Sequence, residues 1–411
     1  MTAIGFPNTP PAASAHVIRD GDEALGIAAE LCEEFRPGAS QRDLDRALPH
    51  AELDRLSASG LLAVTVPAEY GGADVSAQVL ARVIRLLATA DPSLAQIPQN
   101  HFAYVNVLRE QGSPFQQAFF LGQVLAGRRF GNAQSEAGTQ HVQDIRTRLE
   151  REPDGSYLLN GLKHYCTGAL FADWIPVLAR VSEEGDEVGQ LHVAYVPRNA
   201  PGVTVVDDWD GMGQRTTASG TVRLVRVRVP AEHIVAHHLT FTGPQLHGAL
   251  AQLLHAAIDA GIAAGALAEA VAFVRTKSRP WFESGVAVAA DDPLLIQRFG
   301  ELGLQAQAAD ALLDAAARAV DAARADLTDD SAAQASIAVA AAKAFTSTAA
   351  VQISDALFEV SGTRSALAGL NLSRHWRDAR THTLHDPVRW KVQHIGRYVL
   401  NGTRPPRHGL L

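Results

Sequence analysis

Two histidines three residues apart, followed at once by an Asp-Pro step, stand in the stretch RTHTLHDPVRWKV from Arg380 to Val392. Imidazole changes charge near neutral pH, so His382 and His385 are the first places to look for proton transfer. Asp386 is a favoured helix cap and Pro387 a favoured first helical residue, and Val388, Val392, Ile395 and Val399 recur at helical spacing toward Gly402 and Pro405. A helix is expected to begin at this step, with His385 just ahead of its N-terminus. The positive end of the helix dipole disfavours a protonated ring there, by about 0.3 to 1 kcal/mol. His385 is therefore expected to be a neutral imidazole that donates one hydrogen bond or relays a proton. The cap argues against helix before Asp386, which makes His382 a structural residue.

Other familiar chemistries are missing. His233 and His237 in EHIVAHH have a spacing that suits a metal only on a helix, and they follow a strand-like run and Pro230, so no metal site is expected. The chain has no G-x-G-x-x-G after a strand, no phosphate loop and no G-x-S-x-G elbow. A net charge of −8 with no basic run argues against nucleic acid as a partner. Two cysteines, Cys32 and Cys166, exclude a disulfide framework and suit a reducing compartment, with the cytoplasm as the default. The N-terminus lacks the basic start and apolar run of a secretory signal. The most apolar long segment, LLHAAIDAGIAAGALAEAVAFV, is interrupted by His255, Asp259 and Glu269 and reads as a buried helix rather than a membrane span.

The elements that would position these residues fall into three textures. Residues 1–16 read as a loose arm. From 17 to 127 the apolar period is helical: Leu53, Leu56, Leu61 and Leu62 share a side, and Ser76 is placed to cap a helix that starts in SAQVLARV. From 128 to 237 short β-branched runs alternate with turns, as expected of a small, mainly antiparallel sheet domain. In TVRLVRVRVP, strict alternation puts Val222, Leu224, Arg226 and Arg228 on one face and Arg223, Val225, Val227 and Val229 on the other. From 238 to 411 alanine-rich helical patterns return, suited to a close-packed bundle. The fold class read from this order is mainly α with a central β-domain.

Four stretches of the middle region, RFGNAQSEAG, LNGLKHYCTGALFADW, DDWDGMGQRTTASGTV and VRVP, together with FEVSGTRS and RDARTHTLHDP, resemble the acyl-CoA dehydrogenase superfamily in the same order. The resemblance covers nearly the whole chain. It implies an N-terminal helical domain, a middle β-barrel or sandwich and a C-terminal four-helix bundle, with a flavin between the last two. It places Asn132, Gln134 and Ser135 at the pyrimidine end of the ring, Thr167 beside the central-ring nitrogen, and Trp209 and Ser219 on its border. Arg279 in KSRPW resembles an arginine lent to a flavin phosphate, often across a subunit boundary. SGTRS lies where the dehydrogenases have a glycine-rich pyrophosphate turn, and Arg364 there replaces a small residue, which favours FMN over FAD.

Many dehydrogenases of this superfamily carry their glutamate base in a Tyr-Glu-Gly-Thr segment, and this chain has LHDP at that place. Asp386 stands for the glutamate and is one methylene shorter. The strings IPQNHF, TGALFADW, GQRTTASGTV and ARTHTLHDPVRWK instead resemble the flavin-dependent monooxygenase branch typified by dibenzothiophene monooxygenase, and most closely the bacterial sulfur-acquisition oxidoreductases linked to sulfone and sulfide use, dimethyl sulfone among them. Such enzymes take reduced FMN from a separate flavin reductase, bind O2 and form a 4a-hydroperoxyflavin. The resemblance puts His101 and Thr167 with His385 as a polar trio around the flavin, and implies a homotetramer built as a dimer of dimers. The expected activity is oxidation of a small sulfide, sulfoxide or sulfone. An acyl-CoA dehydrogenase and a non-catalytic helical scaffold are the alternatives.

Overall fold

The computed structural model describes residues 15–181 and 189–411. Most of the expected arm, residues 1–14, lies outside them.

The N-terminal part is helical: α1 (Gly21–Phe35), α2 (Ala39–Asp45), α3 (His50–Ala58), α4 (Ala77–Ala90), α5 (Pro92–Gln96), α6 (Gln99–Gln111) and α7 (Pro114–Leu125). Its starts follow local chemistry. The Ser76 hydroxyl accepts from the Val79 N–H, as its position implied, and Ser113 and Gln116 form a capping box at α7. The helix of Leu53 and Leu56 stops at Ala58, and Gly60 turns the chain so that Leu61 and Leu62 are buried from a short 3₁₀ turn.

The middle part is a seven-stranded sheet of β1 (Arg148–Arg151), β2 (Tyr157–Lys163), β3 (Trp174–Val181), β4 (Gln190–Pro197), β5 (Val203–Val206), β6 (Thr221–Val229) and β7 (Ile234–Val235), in the order β5-β6-β2-β1-β3-β4-β7. All pairs are antiparallel except β1 with β3, so the sheet is mixed. Strand β4 is buried on both faces: Val193 and Tyr195 pack with α6 and α7, while Ala194 and Val196 pack with Ile175, Val177 and Val222.

Strict alternation fails in β6. Leu159 pairs with Val227 but Gly161 pairs with Leu224, so Val225 and Arg226 together face the single residue Asn160. This β-bulge, with Arg226 at φ 49° and its N–H donating to the Asn160 side chain, resets the phase. Val222 and Leu224 before it and Val227 and Val229 after it all point inward, and Val225 is left exposed.

The C-terminal part contains α8 (His247–Lys277), α9 (Pro293–Ala325), α10 (Asp329–Ser361), α11 (Ser373–His382) and α12 (Val388–Asn401). Helices α8 and α10 are long and apolar enough to cross a membrane, and both are packed inside the bundle with mostly buried faces. Alanine faces let α8, α9 and α10 approach closely, and the same core takes in Leu80, Ile84 and Leu87 of α4, which joins the N-terminal helices to the bundle.

Helix α12 departs from expectation twice. Its N-cap is Pro387, with no side-chain capping bond, because Asp386 is drawn away to ion-pair with Lys391 at 2.7 Å. The apolar stripe does not enter the core either: Val392 and Val399 are exposed, with Trp390 and Leu400, and Lys391 is the one fully buried residue of the helix.

Candidate functional site

One wall of the site is backbone laid along β3. The Gly131 N–H donates to the Trp174 carbonyl and the Ala133 N–H to that of Pro176, so residues 130–133 run as a short parallel strip beside that strand. A side chain at Gly131 would stand 2.7 Å from the Ala169 Cα, which is why the strip can lie so close to the turn that carries Thr167. The strip's end is held from below. Lys163, fully buried, donates to the Gln134 carbonyl at 3.0 Å and to Glu136 at 2.7 Å. Burial pulls the Lys163 ammonium down to about 8 against the opposing pull of Glu136. The Ser135 carbonyl accepts from His164 N–H at 2.9 Å. The Gln134 and Ser135 side chains make no hydrogen bond among the described residues, so their donors and acceptors are open.

The second wall is the turn after β2. The Asn132 amide reaches the Tyr165 carbonyl at 3.4 Å, and the Thr167 hydroxyl lies 2.7 Å from that of Ser219, which is 2.8 Å from that of Thr217. The Trp209 indole and the Thr217 hydroxyl both donate to the Gln214 carbonyl, and the Trp209 ring meets Tyr165 edge-on at 6.3 Å. Tyr165 is exposed and held at φ 57°, an uncommon backbone for a residue with a side chain. Asn132, Thr167, Trp209 and Ser219 thus form one connected rim, with Gln134 and Ser135 at its open end.

The third wall is helical. Gly213 packs against the Arg377 backbone so closely that the Gln214 N–H donates to Asp378 at 2.5 Å. Burial, with Asp43 and Asp91 nearby, pushes the Asp378 carboxyl up to about 7 against the Gln214 N–H and Arg377. One helical turn further along α11 is His382, so a single helix face touches the rim at one residue and the histidines at the next. His382 is fully buried, with Nδ1 2.5 Å from Asp259 and Nε2 3.0 Å from Nδ1 of His255. The His255 ring lies 4.0 Å from that of His385, centroid to centroid.

Helix α11 reaches His382, where the Asp386 cap was expected to leave no helix, and the His382 ring lies inside the cluster, buried and hydrogen-bonded at both nitrogens. The cluster also changes the role open to His385. Nδ1 of His385 lies 3.2 Å from the carboxylate of Asp386. That carboxylate is held well below its usual range, against its burial, by His385, Lys391 and Lys343. With Nδ1–H facing a carboxylate, Nε2 of a neutral ring is an acceptor, and it donates only after taking a proton. A ring held this way can relay a proton, as expected, but presents an acceptor on Nε2 where a donor was the other expectation.

His101 is not brought into this group. Its Nδ1 accepts from the Phe130 N–H at 3.0 Å and its Nε2–H donates to the Leu62 carbonyl at 2.9 Å, so both nitrogens are spent on backbone. Complete burial lowers its pKa to about 4. His101 fixes the start of the strip at Phe130 instead of facing His385.

Arg279 and Arg364 come together elsewhere. Arg364 donates to the Lys277 carbonyl at 3.1 Å, at the C-terminal end of α8, and Arg279 is exposed two residues beyond. From His255 to Lys277 the helix runs 22 residues, roughly 33 Å at 1.5 Å per residue. These arginines and His385 therefore cannot touch one flavin within a single chain. Sequence reasoning missed His255, Asp259, Lys343 and Lys391. The available signal was polar residues one turn apart inside an otherwise apolar helix, which had served only to argue against a membrane span.

Comparison with known proteins identifies the family. Three acyl-CoA dehydrogenase domain families match in order: the N-terminal domain over 26–128, the middle domain over 130–227 and the C-terminal domain over 253–390. Dibenzothiophene monooxygenase of Rhodococcus erythropolis is 35% identical over 395 residues, covering 93% of this chain and 94% of the relative. The chain belongs to the acyl-CoA dehydrogenase family, in its monooxygenase branch. The probable FMNH2-dependent monooxygenase SfnC of Pseudomonas putida is 34% identical, covering 93% of this chain and 96% of its own. The crystal structure of FMN-bound TdsC from Paenibacillus sp. A11-2 superposes with a TM-score of 0.89 at 34% identity, covering 94% of this chain and all of that one.

Proposed function

We propose that this chain is the oxygenase component of a two-component flavin monooxygenase, which takes reduced FMN from a separate reductase and uses O2 to oxidise an organosulfur compound. The observation that carries this reading is the state of Asp386. Where a dehydrogenase keeps a free glutamate base, this chain has a carboxylate buried between His385 and Lys391 and held in its charged form. It cannot approach a substrate carbon, and the acidic pKa that its partners impose makes it a poor base.

The residues present suit FMN. The open amide and hydroxyl of Gln134 and Ser135, with Asn132, offer donors and acceptors for a pyrimidine edge, and Thr167, Ser219 and Trp209 form a hydroxyl and aromatic border. Reduced FMN supplies the electrons with which O2 is activated for transfer of one oxygen atom to sulfur. Asp386 orients His385 so that its Nε2 takes and returns the proton that this transfer moves. The Thr167 and Ser219 hydroxyls, each already hydrogen-bonded, are held in one orientation with little freedom left to lose on binding.

The 33 Å separation of Arg279 and Arg364 from His255 supports phosphate binding by a neighbouring copy, as do the exposed apolar residues Trp390, Val399 and Leu400 of α12. A homotetramer in the cytoplasm is the assembly and location we infer, and a monomer in sedimentation analysis would overturn the former. The central test is oxygen uptake with reduced FMN across a panel of sulfides, sulfoxides and sulfones, with product analysis. Substrate-coupled uptake is expected. His385→Ala is expected to abolish coupling while FMN still binds, and full coupled activity in that variant would remove His385 from the mechanism.

A further inference from the structure

The polar chain behind His385 has a direction. Asp259, completely buried on α8, receives Lys343 Nζ at 2.7 Å and the Ser347 hydroxyl at 2.6 Å on one oxygen, both from α10. Its other oxygen is left for Nδ1 of His382 at 2.5 Å. Although burial works against it, Lys343 and His382 hold this carboxyl down at about 2, so it accepts and His382 donates from Nδ1. A neutral His382 then has a lone pair on Nε2, and its one hydrogen-bond partner among the described residues is Nδ1 of His255, which must carry the hydrogen. His255 is left with a bare Nε2 in a ring tilted 36° to that of His385, with centroids 4.0 Å apart.

We propose that Asp259, His382 and His255 form a proton relay behind His385, with Asp259 and His382 as positioning residues that set the tautomer of His255. When protonated His385 passes its Nε2 proton to Nε2 of His255, the His385 N–H bond breaks as the new N–H bond forms, and the Nδ1–H bond of His255 breaks as that proton passes to Nε2 of His382. No electrons change hands. The charge ends on His382, between the Asp259 carboxylate and the C-terminal end of α11, both of which favour a cation. The charges facing this cluster are Asp259 from α8, Lys343 from α10, Asp386 from the turn after α11 and Lys391 from α12. Two carboxylates balance two ammonium groups, and burial disfavours a charge on His255 and His382, so these two rest neutral and the added proton is held only briefly. This extends the proposed function: His385 becomes able to give up a proton inward when substrate and flavin cover its exposed side.

Asp259→Asn tests the direction. Two donors, Lys343 and Ser347, fix the carboxamide oxygen toward α10, which turns the amide NH2 toward Nδ1 of His382. His382 must then carry its hydrogen on Nε2 and donate to His255, which inverts both tautomers. In ¹⁵N-histidine NMR of the flavin-free chain we expect Nδ1–H on His382 and His255 in the wild type and Nε2–H on both in Asp259→Asn. In the loaded enzyme we expect at least a 10-fold lower kcat and a displaced pH profile, with FMN affinity within about three-fold. His255→Gln should share the kinetic effect, and with the wild-type tautomers it decides the matter if Asp259→Asn does not fold. An Nε2–H tautomer at either histidine in the wild type, or wild-type kcat and pH profile in His255→Gln, overturns the relay. If the wild type oxidises no sulfur compound, the proposed function fails, while the tautomers still decide the relay.

Discussion

Replacing Lys163 by Met tests whether the strip of residues 130–133, proposed to border the flavin, is held in place from beneath. The substitution removes a buried cation and leaves Glu136 without its ion-pair partner, a change that typically costs about 3–5 kcal/mol. Thr147, through its N–H and hydroxyl, and the Arg146 N–H still donate to Glu136, so the lower end, ~3 kcal/mol, is expected. At ~2.1 cal/mol/K per residue, 411 residues melt with ~0.86 kcal/mol/K, so the thermal midpoint should fall by about 3–4 °C. The double variant Lys163→Met with Glu136→Gln removes the orphaned charge and should recover half or more of this loss. Flavin binding should not recover. Both variants lose the ammonium on the Gln134 carbonyl, a charge-assisted bond worth about 1.5–3 kcal/mol, so FMN affinity should drop by roughly 10- to 100-fold in each. Calorimetric unfolding and FMN titration separate the two effects. If the double variant regains FMN affinity along with stability, or if both bind FMN as the wild type does, Lys163 does not shape the strip.

Three further outcomes follow from the same geometry. Gly131→Ala sets a methyl 2.7 Å from the Ala169 backbone, so it should displace the Thr167 turn and weaken FMN binding by 10-fold or more with little change in helix content, read by titration and circular dichroism. Asp378 binds its proton more tightly when folded, about 7 against an ordinary 3.8, so its stabilising contribution is complete below 3.8 and is lost as pH rises through 7. Asp378→Asn keeps an acceptor for the Gln214 N–H and does not titrate, so it should melt increasingly above the wild type between pH 5 and 8; a pH-independent difference would contradict this. Arg364→Gly, at an exposed site, should leave the melting temperature within about 1 °C and raise FAD affinity relative to FMN, measured by competition titration.

Much of the fold is local and was legible. The helix start at Ser76, the β-branched middle region and the alanine-rich closing helices depend on interactions within one turn or along one strand. The rim residues Asn132, Thr167 and Ser219 were found through a resemblance, and the structure shows what joins them: hydroxyl and carbonyl contacts between the strip and two turns. Where neighbours in sequence were used to infer environment, long-range contacts intervened. A favoured capping residue, Asp386, was taken by Lys391, and a helical apolar stripe from Val392 to Val399 was left on the surface because the bundle core was already filled by α8, α9 and α10.

The amino-acid sequence by itself determined the order helical, sheet, helical and the absence of phosphate-loop and nucleophile-elbow motifs, and it directed attention to the region around His385. Only the tertiary structure decided which histidines lie together. His382 meets Asp259 across 123 residues and His255 across 127, and no local propensity reports such contacts. They exist because α8 and α11 pack side by side in a core where a buried imidazole or carboxylate must find a partner or lose several kcal/mol, so these polar groups are placed against one another.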